Sequence, residues 1–172
     1  MTLMRATRPL NPWSWLVIPA LICVAGTLLL AAPLRVFGLA LPEPVFGLVL
    51  AYAWPVIRPS ILAPFALLAY GLFTDLYWGA PTGLWAISLL AAYGGILVVR
   101  GLMQGQSWLV SWLWFVGATA LAMGVAFFLA VLSSLNIPDL WSVLWQFLAT
   151  AALYPFADRL IERFEDADVR FR

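Results

Sequence analysis

Between residues 108 and 135 the chain carries no charged side chain and no proline. About 20 such residues are enough to carry an α-helix across a bilayer. A helix this long and this apolar has no face to offer water. Similar runs recur at 13–34, 61–77, 83–99 and 140–156, with a shorter one at 44–57. The chain is 65% hydrophobic and 10% charged, against about 25% charged for a soluble domain, so a water-facing shell cannot be built from it. The expectation is an all-α integral membrane protein, a compact bundle of six transmembrane helices over residues 1–157. Residues 158–172 follow as a cytoplasmic tail.

The breaks between runs have local causes. Asn11-Pro12 marks entry into the first run, with Pro19 inside it. That run exceeds the 7–15 apolar residues of a signal peptide and further runs follow, so it is read as a retained helix. Pro42-Glu43-Pro44 separates the first run from the second, because two prolines and an acid cannot sit mid-helix. The 44–57 run is short enough to suit a re-entrant or buried element as well as a span. Arg58-Pro59-Ser60 reverses the chain. Gly79 to Thr82 makes the next turn, with Pro81 expected at the first position of the following helix. Gly101 to Ser107 forms a polar connection, and Asn136-Ile-Pro138-Asp139 breaks the chain before the last run. In the tail, Leu160, Ile161 and Phe164 share one side of a possible helix. That helix would lie at the membrane surface, or the tail would be solvated.

Orientation follows from the nine cations, all arginine. Six crossings put Arg5, Arg8, Arg58, Arg100, Arg159, Arg163, Arg170 and Arg172 on one side and Arg35 alone on the other. The positive-inside rule then makes both termini cytoplasmic. The tryptophans fall near span ends, Trp13, Trp15, Trp54, Trp108, Trp112 and Trp114 at one interface and Trp78, Trp85, Trp141 and Trp145 at the other, as aromatic belts would.

The sequence holds no His, which removes the usual general base and the commonest metal ligand. One cysteine, Cys23, lies in an apolar run and reads as a small buried hydrophobe. No catalytic set, metal or cofactor is expected, and a net charge of +1 does not point to nucleic acid. The conspicuous polar residue is Asp75, a carboxylate within an apolar run, where charge costs about 2.5–3.5 kcal/mol on insertion scales. It either accepts hydrogen bonds across helices or subunits, or caps the Gly79–Gly83 turn. Gly71, Gly79 and Gly83 read as turn and packing glycines. On the 108–135 run, Gly117, Ala120 and Gly124 give small-residue spacing suited to close helix approach. Ordinary packing within the bundle is the expectation there, a partner groove the alternative.

The stretch Gly71-Leu72-Phe-Thr-Asp75-Leu76-Tyr-Trp-Gly79-Ala-Pro81-Thr-Gly83-Leu84 resembles the G-x-x-x-D-x-x-x-G-x-P-L-G-L signature of the rod-shape-determining protein MreD family. Thr82 stands where that family more often has Leu. Tyr52-Ala-Trp54 with Arg58-Pro59, and Tyr154-Pro155 with Asp158-Arg159-Leu160, are similar to its early and final segments. The resemblance implies a non-enzymatic inner-membrane component of the bacterial elongation machinery. Such a component binds MreC and helps couple MreB filaments to peptidoglycan synthesis by RodA and its transpeptidase partner. It also implies a helix arrangement similar to the substrate-binding S-components of energy-coupling-factor transporters. A vitamin-binding subunit of that kind, with Asp75 and Glu43 near an outward-facing pocket, is the alternative.

Overall fold

The computed structural model describes residues 13–30, 35–36, 39–40, 43–103, 105–134 and 139–169. The entry signal Asn11-Pro12, the breaks at Pro42 and 136–138, and Arg5, Arg8, Arg170 and Arg172 lie outside them. A π-helical turn, Trp13–Val17, leads into α1 (Ile18–Leu30). Two short strands, β1 (Arg35–Val36) and β2 (Leu39–Ala40), pair antiparallel with Arg35 opposite Ala40. The rest is helical: α2 (Gly47–Ile57), α3 (Leu62–Trp78), α4 (Leu84–Met103), α5 (Trp108–Ser134), α6 (Leu140–Ala151) and α7 (Tyr154–Val169).

The core is wound around α2. Every residue from Gly47 to Pro55 is buried, so this helix has no outward face, as expected of one apolar all round. It packs against α4 and α7 and also touches α3, α5 and α1. At about 1.5 Å per residue, its 11 residues fall well short of a bilayer's roughly 30 Å apolar core. The 44–57 run is thus a buried central helix. It ends at Ile57 because Arg58, preceding Pro59, is forced out of the helical region to φ −159° and ψ 114°.

Two prolines explain where two tryptophans go. Pro19 has no N–H for the carbonyl of Trp15 four residues earlier, and that carbonyl accepts from Trp54 Nε1 at 3.1 Å. Pro155 likewise offers nothing to the Ala151 carbonyl, which accepts from Trp112 Nε1 at a long 3.4 Å. Trp54 and Trp15 are therefore core residues, 0% and 3% exposed, and the interfacial belt expected of them is corrected. Trp108 and Trp141 do remain exposed. Trp54→Phe is expected to cost about 1–2 kcal/mol, the value of a buried hydrogen bond with its acceptor left unpaired. In a Pro19→Ala background, where residue 19 regains an N–H for that carbonyl, the loss should shrink by about 0.5–1 kcal/mol. Unfolding curves in detergent for the four proteins measure this, and equal losses in both backgrounds would break the link.

Several boundaries differ from the sequence reading. α4 starts at Leu84, with Pro81 back in the turn and its carbonyl accepting from Leu84 N at 3.1 Å. α4 also runs past Arg100 to Met103. The 140–156 run is split by a turn at 152–153, because Pro155 belongs in the first turn of a new helix. The division at residue 157 falls inside α7, whose Ala157, Leu160, Ile161 and Phe164 pack into the core. Among the described residues three stretches are long and apolar enough to cross a membrane: α4, α5 and the divided α6–α7 stretch Leu140–Phe164. The exterior is apolar too, with Val98, Leu76 and Leu29 among its most exposed side chains.

α6 opens on Asp139, whose Oδ2 accepts from Ser142 N at 3.0 Å and Ser142 Oγ at 2.7 Å. The Ser142 hydroxyl, then its N–H, hold this carboxyl below its ordinary range. A depressed pKa adds stability above the unfolded value, and that stability is lost as pH falls through the folded one. Asp139→Asn keeps a capping oxygen without the charge. Melting measured against pH should therefore lose part of its acid limb in this variant. An unchanged limb would contradict the assignment.

Candidate functional site

The motif from Gly71 to Trp85 folds as a hairpin that caps itself at both ends. α3 ends at Gly79, which takes the left-handed conformation (φ 64°) that glycine adopts without Cβ strain. The Gly79 and Ala80 N–H groups both donate to the Asp75 backbone carbonyl, the latter at 2.9 Å. Gly83 then stands at the entrance to α4 with φ 95°. It has no side chain with which to cap that helix, so the service comes from the opposite helix. Asp75 Oδ2 accepts from Gly83 N and Oδ1 from Trp85 N, each at 2.8 Å.

This arrangement accounts for a carboxylate in an apolar run. Helix N-termini leave backbone donors without internal partners, and the aligned peptide dipoles favour negative charge there. Asp75 is 0% exposed, so its two oxygens are met by two amides at a helix end in place of solvent. Of the two readings left open by the sequence, the geometry is that of the cap. The hairpin tip carries what is accessible: Gly79, Pro81 and Thr82 are exposed.

One turn before Asp75, on the same face of α3, Gly71 allows the closest approach in the hairpin. A Cβ built there would lie 2.3 Å from Ala86 Cα and 2.6 Å from Ala86 N. Gly71 and Asp75 therefore act together, one bringing the α4 backbone close and the other pinning its first turn.

On α5 the small-residue face behaves differently from expectation. Gly117, Ala120 and Gly124 are exposed, and a Cβ on either glycine would meet nothing within 4 Å. The intramolecular packing expected of them is made by a second small register, Ala118, Ala122 and Ala126, with Phe115 and Met123. Ala120 and Gly124 instead line a shallow apolar groove against Leu140, Val143 and Phe147 of α6.

The sequence did not mark Gly47, where a Cβ would lie 2.6 Å from Tyr70 Cε1. Nor did it mark the network beside it. Thr27 Oγ1 donates to the Cys23 carbonyl at 2.9 Å and lies 2.7 Å from the Tyr70 hydroxyl. Thr150 Oγ1 receives the N–H of Val45, at 3.0 Å, just ahead of α2. A polar residue within an apolar run is the signal that Thr27, Tyr70 and Thr150 share, but it names no partner, and Gly47 carries no such signal. Glu43 is half-buried, and its backbone carbonyl accepts from Gln146 Nε2 at 3.2 Å. Among the described residues no three acids or cysteines gather as metal ligands would.

No family model, curated protein or solved structure matches the chain.

Proposed function

We propose that this protein is a non-enzymatic scaffold of a bacterial cell-elongation complex, set in the inner membrane. It crosses six times with both termini cytoplasmic, binds MreC and helps couple MreB filaments to peptidoglycan synthesis by RodA and its transpeptidase partner. The observation that carries this reading is the Gly71–Leu84 motif, which resembles the MreD signature and forms a rigid self-capped hairpin. A hairpin that seals its only buried acid inside offers partners its shape and its outer faces. In this threading the second crossing is made by α2 together with the irregular residues 43–46 ahead of it. Irregular backbone at membrane depth is tolerated where protein covers it. Val45, 1% exposed and bonded to Thr150 ahead of α2, meets that condition.

The alternative is a vitamin-binding subunit similar to transporter S-components, which draws on an acid facing an open pocket. Asp75 has both oxygens engaged and no exposure, which weighs against it. Co-purification with MreC, and loss of rod shape on depletion, test the scaffold reading. A depleted strain of normal shape, with no MreC retained, would overturn it.

A further inference from the structure

At the end of the molecule where α4 stops and α5 begins, a cleft of about 630 Å³ opens between those two helices, α2 and α7. Arg100 lines one wall, and Asp158 and Glu162, one helical turn apart on α7, line another. Trp108 supplies aromatic surface at the mouth, while Tyr52 and Tyr154, each 1% exposed, back the cleft. Tyr154 donates its hydroxyl to Asp158 Oδ1 at 3.1 Å, and Tyr52 donates to the Ser111 carbonyl at 2.8 Å. Opposite charges thus share one cavity, yet no ion pair joins Arg100 to either acid among the described residues. The guanidinium nitrogens thus lie more than 4.0 Å from the carboxylate oxygens while lining the same cleft.

We infer that this cleft binds a phosphoethanolamine group, its phosphate on Arg100 and its primary ammonium between Asp158 and Glu162. Guanidinium is suited to bidentate contact with phosphate oxygens. An ammonium carries three donors for carboxylates and is attracted to an aromatic face such as that of the exposed Trp108. A head group that is only anionic would meet two carboxylates. A quaternary ammonium would have no N–H to give them. The inference rests on the membrane reading above, which sets the Arg100 end at the cytoplasmic head-group layer. Trp108, 54% exposed at the rim, suits that depth.

The test uses the full chain, delipidated in detergent, with native mass spectrometry and melting as readouts. Phosphatidylethanolamine, phosphatidylcholine and phosphatidylglycerol with identical acyl chains are titrated separately. Phosphatidylethanolamine should bind about tenfold tighter than the other two. Arg100→Gln and Glu162→Gln, both at exposed positions, should each bring that ratio close to one, and Asp139→Asn at the other end should leave it unchanged. Equal retention of the three lipids, or a preference that survives Arg100→Gln and Glu162→Gln, overturns the site. Soluble phosphoethanolamine is the competitor. Competition at concentrations matching the lipid assigns the source to a free small molecule, and failure to compete assigns it to the bilayer; both keep the ammonium-and-phosphate chemistry. Lost lipid preference with MreC still co-purifying would sink the cleft alone, whereas absence from the membrane fraction would sink the scaffold reading.

Discussion

Asp75→Ala is expected to destabilise the isolated protein by about 2–6 kcal/mol, the loss for two backbone donors left without their acceptor. The variant leaves the N–H groups of Gly83 and Trp85, each now 2.8 Å from a carboxylate oxygen, without that acceptor, and the buried Trp85 group without water as well. Each stranded donor accounts for about 1–3 kcal/mol. Asp75→Asn should fall roughly midway, because it keeps one acceptor oxygen but turns an NH₂ group towards a backbone donor. Unfolding of the purified variants in detergent reads this order directly, with MreC co-purification as the second measurement. If Asp75 served a partner and not the fold, both variants would melt like the parent and lose only MreC. The cap assignment predicts the reverse order of events: folding weakens first, and retention of MreC, the partner proposed above, falls only as folded protein is lost.

Hydropathy made the long helices legible, since runs such as 108–135 have few alternatives in any solvent. What it could not supply was the identity of neighbours. Asp75 reaches amides 8 and 10 residues ahead, beyond the spacing of any local capping motif, so cap and partner site looked alike in the sequence. α5 carries small residues in two registers, and only the position of α4 decides that Ala118, Ala122 and Ala126 turn inwards. Trp54 sits where an interfacial tryptophan belongs by sequence, yet a carbonyl left unused by Pro19 draws it into the core. The amphipathic pattern of Leu160, Ile161 and Phe164 was readable, but an apolar stripe suits a lipid surface or a helix equally well. Here it meets the α2 core. The candidate site was thus visible as a list of residues, while its geometry came from long-range packing.

Gly71→Ala should cost about 2–4 kcal/mol, at the upper end of what overpacking a tight contact does. The added methyl would sit 2.3 Å from Ala86 Cα and 2.6 Å from Ala86 N. Those are backbone atoms, which cannot rotate aside, so α3 and α4 must separate. Separation at residue 71 also draws Asp75, one turn along the same face, away from Gly83 and Trp85. The two sites therefore share a mechanism, and the Gly71→Ala/Asp75→Ala double variant should lose clearly less than the sum of the singles. Gly47→Ala is milder, since its new methyl meets the side chains of Tyr70 and Leu89, which can shift. Gly124→Ala should be neutral or raise stability by up to about 1 kcal/mol, because alanine favours a helix interior and nothing lies within 4 Å of the new atom. Equilibrium unfolding of these variants in one detergent decides the matter. A harmless Gly71→Ala, or strictly additive losses with Asp75→Ala, would mean that the hairpin is not held by the joint action of its glycine and its acid.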